Sequence, residues 1–165
     1  LVIGEGTPFE EYRGLPRIMI ETAAKGIPVL CLAPANGQFP VPGMGEPDLP
    51  GPSRIALRRA DVIEELDKRL DAGAWPPDGR VAASSLTLKS RRNQVVAEVV
   101  EADAGWPWLE VGFSAKRGKL IVCGFGLMRK WNTSPTPRFL FARLLEYLSA
   151  DEEGTISAAG GEHSR

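Results

Sequence analysis

Two thiols and one imidazole are the residues of this 165-residue chain best suited to nucleophilic chemistry. An attacking cysteine needs a base within hydrogen-bond reach to take its proton and a backbone turn that displays it. Cys31 sits in "IPVLCLAP" and Cys123 in "GKLIVCGFGLM", each inside an apolar run. A strand-to-helix elbow that presents a nucleophile carries glycine on both sides, because the turn is strained and neighbouring backbones approach closely. Around Cys31 the sequence reads "VLCLA", with no glycine, and around Cys123 "VCGFG", with glycine on one side only. The single histidine, His163, stands in the polar C-terminal segment "DEEGTISAAGGEHSR". Both cysteines therefore read as buried strand residues, in keeping with the high burial of free cysteine in general. They are too far apart and too isolated for a disulfide framework or a metal-ligand spacing, so neither a metal nor a cofactor is expected.

Three other groups of residues invite a chemical reading. Gly4-Glu5-Gly6 follows a short apolar strand and precedes a helix, as a dinucleotide-binding turn does. Phe9 stands where the third small residue of that fingerprint is needed, and Pro8 removes an amide, so a tight turn is the better reading. Glu5 and Gly6 nevertheless lie at the carboxyl end of a parallel strand, where open α/β sheets take their ligands, and they are kept as ligand-binding candidates. Glu64, Glu65, Asp67 and Asp71 alternate with Lys68 and Arg69 and read as a solvated helix face. Trp106 and Trp108 share one face of an expected strand and, with Trp75 and Trp131, could offer a platform for sugar rings; otherwise they pack. The basic groups "KSRR" and "AKRGK" fall in expected turns without interleaved aromatics. With a net charge of -1, the chain has no general attraction for nucleic acid. No apolar run approaches the roughly 20 residues that span a bilayer, so no membrane partner is expected.

The elements that must position these residues follow from periodicity and punctuation. "LVIG" reads as a buried strand, "LPRIMIETAAKG" as a helix with Pro16 in its first turn and Gly26 after its C-cap, and "IPVLCLAP" as a second buried strand. Strand, helix and strand within about 35 residues make a βαβ unit with parallel strands. Residues 34–53 concentrate proline and glycine and read as a long loop. Residues 61–71 read as a helix opened by an Asp61/Glu64 capping box. Strands are expected near 80–88, 94–101, 107–113 and 119–125, joined by the short connectors "KSRRN", "ADAG" and "AKRG" as successive hairpins. "TPRFLFARLLEYLS" closes the pattern as a helix capped by Thr136, with Phe141, Leu144, Leu145 and Leu148 toward the core. Composition marks 151–165 as a disordered tail.

The segment "GKLIVCGFGLMRKWNTSPTPRFLFARLLEYL" resembles the closing strand and helix of class I glutamine-amidotransferase-like domains, and "LVIGEG…IETAAKGIPVLCLAP" resembles the middle of the same fold. The resemblance spans residues 1–33 and 107–149 and rests on hydrophobic, structural motifs. It implies one α/β domain over residues 1–150 with a flavodoxin-like sheet, parallel in its N-terminal part and extended by antiparallel hairpin strands toward the C-terminus. It also implies that an earlier strand-helix unit lies upstream of "LVIG". The Cys-His-Glu triad of active family members is not recognisable. The resemblance therefore implies a non-catalytic accessory or interaction domain of a larger bacterial protein, partnered by other domains of that polypeptide or by a second copy. The alternatives are a carbohydrate-binding module using the tryptophans, and a hydrolase or amidotransferase with an atypical site.

Overall fold

A computed structural model describes residues 1–35, 38–40, 48–58, 86–89, 97–99, 108–113 and 116–150. The helix expected over 61–71, the tail 151–165 with His163, and Trp75 and Trp106 lie outside the described residues. The strands are β1 (Val2–Ile3), β2 (Val29–Leu32), β3 (Gln38–Pro40), β4 (Arg54–Arg58), β5 (Leu86–Lys89), β6 (Ala97–Val99), β7 (Trp108–Phe113) and β8 (Gly118–Cys123); the helices are α1 (Leu15–Ala24) and α2 (Thr136–Ser149). Five strands form a mixed sheet in the order β1-β2-β8-β7-β4, and three more form a second sheet in the order β3-β5-β6. The fold is α/β, partly parallel and partly antiparallel.

Period-two alternation explains how the larger sheet takes a helix on each face. Val29, Cys31, Leu109, Val111, Leu120 and Val122 point to one side, where Met19, Ile20 and Ala23 of α1 cover them. Leu30, Leu32, Trp108, Ile121 and Cys123 point to the other, against Leu140, Leu144 and Leu148 of α2. β8 lies in the middle, parallel to β2 and antiparallel to β7, and all six of its residues are buried. A strand covered on both faces reads as a continuous apolar run, as "LIVC" does.

The one charged residue of β8 is accommodated by α2. Lys119 Nζ donates to the carbonyls of Tyr147 at 3.3 Å and Ala150 at 3.2 Å, placing a cation at the negative end of the helix. The same ammonium lies 4.7 Å from the Tyr147 ring centroid. The Tyr147 hydroxyl donates to the buried carboxylate of Glu110 on β7, 3.0 Å from each oxygen. This polar cluster fixes where the C-terminal half of α2 sits on the sheet.

Several expectations are corrected. "LVIG" forms a strand parallel to β2, but β1 is at the sheet edge, and Leu1 and Val2 are about half exposed instead of buried. β5 pairs with β6 and β7 with β8 as expected of hairpins, but β6 and β7 belong to different sheets. The second edge of β7 is taken by β4, whose pairing runs from Arg54 opposite Gly112 to Arg58 opposite Trp108. The expected loop over 34–53 contains β3, parallel to β5. At α2, Pro135 occupies the cap position with helical φ and ψ and no side chain among the described residues caps the helix, so Thr136 belongs to the first turn. The buried stripe is Leu140, Leu144 and Leu148; Phe141 is half-buried and Leu145 is 37% exposed.

The C-terminus of α1 sets a demand on β8. Gly26 donates to the Ala23 carbonyl at 2.8 Å and Ile27 to that of Thr22 at 3.3 Å, the two bonds of a Schellman motif, with Gly26 at φ 92°. This turn rests on the first residue of β8: a Cβ on Gly118 would lie 1.7 Å from the Ala23 carbonyl oxygen. Gly118→Ala must push α1 off the sheet, and we expect a loss of about 3 kcal/mol, at the upper end for overpacking. At Gly112 the nearest atom to an added Cβ is Arg54 Cβ at 3.6 Å, an ordinary contact, so Gly112→Ala should stay within roughly 1 kcal/mol of the parent. Paired urea melts of the two variants check this.

Candidate functional site

The carboxyl ends of the parallel strands β1, β2 and β8 lie side by side, which is where an open α/β sheet presents its loops to a ligand. Three loops meet there: residues 4–14 after β1, 33–35 after β2, and 124–135 after β8. The first two are stitched together by backbone. Gly6, in the left-handed region at φ 82°, donates to Ala33 O at 2.9 Å, and Ala35 donates to Thr7 O at 3.1 Å. Thr7 Oγ1 donates to Gly4 O at 2.8 Å. Ala33 in turn donates to Cys123 O at 2.6 Å, which ties β2 to the end of β8.

Glu5 is at the centre of this edge. Its side chain is only 8% exposed. One carboxylate oxygen accepts the backbone N–H of Met128 at 2.7 Å and the other that of Arg129 at 3.2 Å. The exposed Arg129 guanidinium approaches to 3.7 Å. Two amides opposed to one carboxylate are a charge-assisted arrangement, stronger than neutral pairs. The sequence places Glu5 at this edge through the strand-glycine signal, but its partners are backbone groups 123 and 124 residues away, which side-chain type cannot announce. The tight-turn reading of Gly4-Glu5-Gly6 agrees with this geometry: Phe9 is buried in the core beside α1, and a carboxylate facing the turn would repel a phosphate.

Cys123 is near enough to Glu5 to feel its charge, and Cys31, on the adjacent strand, lies on the opposite face of the sheet. Cys31 belongs to the core under α1 and Cys123 to that under α2, and neither is exposed. Burial pushes Cys31 up to about 12 from an ordinary 9.0, with the nearby Cys123 adding to the shift. Burial likewise pushes Cys123 up to about 12; the Phe125 backbone opposes this and the charge of Glu5 reinforces it. At neutral pH the thiolate, the nucleophilic form, is then only about one part in 10⁵. Among the described residues no three metal-ligating side chains cluster.

The other expected site residues are not gathered here. Trp108 is fully buried among Cys123, Phe125 and Leu127, and its Nε1 has no hydrogen-bond partner among the described residues. A ring enclosed on all sides cannot stack on a sugar, so the platform expected from Trp106 and Trp108 lacks one ring. Trp131 is half-buried and packs edge-on against Phe141, with centroids 5.9 Å apart.

No family model, no curated protein and no solved structure matches this chain.

The raised thiols predict an alkaline weakness. Below pH 9 both are protonated folded and unfolded and contribute no pH dependence. Between pH 9 and 12 the unfolded chain loses these protons while the folded one retains them, so stability falls as pH rises. Each thiol should contribute a slope of roughly 1 kcal/mol per pH unit in that window. Urea melts at pH 8, 9.5 and 10.5 should show the fall, and Cys123→Ala should reduce it by about half.

Proposed function

We propose that this chain is a non-catalytic accessory or interaction domain of a larger bacterial protein, built on a flavodoxin-like frame of the glutamine-amidotransferase-like kind. The observation that carries the reading is the state of the carboxyl edge. Where such a sheet would hold its chemistry, the Glu5 carboxylate is engaged by two backbone amides, and the adjacent thiols are buried. A carboxylate so engaged is poorly available as a base, and an enclosed, protonated thiol is poorly available as a nucleophile.

The partners proposed are other domains of the same polypeptide or a second copy. Support comes from β1, whose outer edge is unpaired among the described residues and is flanked by exposed Leu1, Val2 and Ile27. Apolar surface next to an open strand edge favours association. The carbohydrate-binding alternative gains no comparable support, because Trp108 is in the core.

The experiment is an assay for thiol-dependent turnover. Ammonia release from glutamine, and hydrolysis of an activated ester, should not exceed the rate given by the Cys31→Ala/Cys123→Ala double variant. Turnover that persists in Cys31→Ala and disappears in Cys123→Ala would contradict the proposal and point to an atypical hydrolase.

A further inference from the structure

We infer that residues 124–135 form a lid over the carboxyl ends of β1, β2 and β8, and that Glu5 is the latch that holds it shut. This goes beyond the proposed role and does not depend on it. The lid carries its own hydrogen bonds, and it leans on α2 where Arg138 Nε donates to Trp131 O at 3.0 Å and Trp131 packs on Phe141. Leu127 donates to Phe125 O at 2.9 Å, Lys130 to Gly126 O at 3.2 Å, Trp131 to Met128 O at 3.2 Å and Thr133 to Lys130 O at 3.0 Å. These bonds lie within the segment, so they survive if it moves as a unit. The tie between lid and β1–α1 loop is made by Met128 and Arg129, and both amides end on the Glu5 carboxylate. The base of the latch is fixed, because the Glu5 loop is bonded to the end of β2 through Gly6 and Ala35.

The closed lid has a specific weakness. Among the described residues, Trp108 Nε1, packed in the same cluster as Phe125 and Leu127, is buried without a partner, and so is Ser134 Oγ within the lid itself. Buried polar atoms left unpaired disfavour the state that encloses them. Opening the lid lets water reach both, which offsets part of the cost of exposing Phe125 and Leu127. On the side of the β1–α1 loop the balance depends on the bonds to Glu5, while Trp131 stays as the hinge-side contact with α2. When they break, the segment can open locally without the sheet unfolding, and the carboxyl edge of the parallel strands becomes accessible.

The two cysteines report on this. Cys123 is the last residue of β8, immediately before the lid, on the α2 face, whereas Cys31 is under α1 on the other face. Modification by a maleimide, resolved site by site by mass spectrometry, should be compared in the parent, Glu5→Gln and Glu5→Ala. In Glu5→Ala, Cys123 should react roughly ten- to hundredfold faster, the scale of a lost hydrogen bond to a charged group, and the buried Trp108 indole N–H should exchange with solvent faster as well, which loss of the Glu5 charge beside the thiol would not by itself cause. Glu5→Gln, which keeps one acceptor oxygen, should fall between. Cys31 should stay within about twofold of the parent, because local opening leaves the other face covered. If both thiols accelerate together, Glu5 supports the whole fold and there is no latch. If Cys123 is unchanged, the lid does not depend on Glu5. Should Glu5→Ala fail to fold, Glu5→Gln decides by the same two comparisons.

Discussion

The pairing of β2 with β8 is the constraint on which the rest of this molecule depends. It joins residues 29–32 to residues 120–123, segments about 90 residues apart in sequence, in parallel register. Parallel strands cannot be joined by a tight turn and are stable only when both faces are covered. Cys31 and Cys123 are therefore in the chain as small apolar fillers on opposite faces of adjacent strands, and the thiols are enclosed as a consequence. The same pairing brings the loop after β8 alongside the loop after β1, which is how Glu5 comes to face Met128 and Arg129.

The two ends of β8 are held by different means. At its start, Gly118 lies against the Schellman turn of α1, a contact of shape that admits no side chain. One residue later, Lys119 reaches the final carbonyls of α2 and, through Tyr147, joins the buried Glu110. At its far end the arrangement is electrostatic and local, with one carboxylate bound to two amides. A contact of shape with α1 and a buried polar cluster with α2 fix the amino end, while at the carboxyl end the loops after β1 and β8 are joined through the Glu5 carboxylate. An α/β sheet places its variable chemistry at the carboxyl end, and the closure made by one side chain is found at that end.

Much of the frame is legible in the sequence. "VLCL" and "LIVC" are continuous apolar runs because both faces are covered, and β1, α1, β2, β7, β8 and α2 lie where pattern and punctuation place them. β4 is legible in principle: Ile55 alternates with Arg54 and Ala56 in "RIALR", but the proline-rich stretch before it disguises the segment as loop. A short connector between β6 and β7 imitates a hairpin, although β7 already has β4 as its second neighbour. On α2 the stripe is ambiguous by one position because Leu144 and Leu145 are equally apolar, and only the sheet decides which of them faces inward. Trp108 resembles a surface aromatic because its type fits either role. Glu5 is visible as a residue at the right edge, but its partners are main-chain groups with no signature in residue type.

Closure of the carboxyl edge by the Glu5 carboxylate in solution is the central claim, and native-state hydrogen exchange read amide by amide measures it most directly. Amides in the middle of β2 and β8 should exchange only through global unfolding, as buried central strands do. Met128 and Arg129 should be clearly protected in the parent, though less than β8, and should lose that protection in Glu5→Ala while β8 keeps its own. If Met128 and Arg129 exchange in the parent as fast as an unstructured peptide, the carboxylate does not hold them, and the closed edge described here is not the solution state.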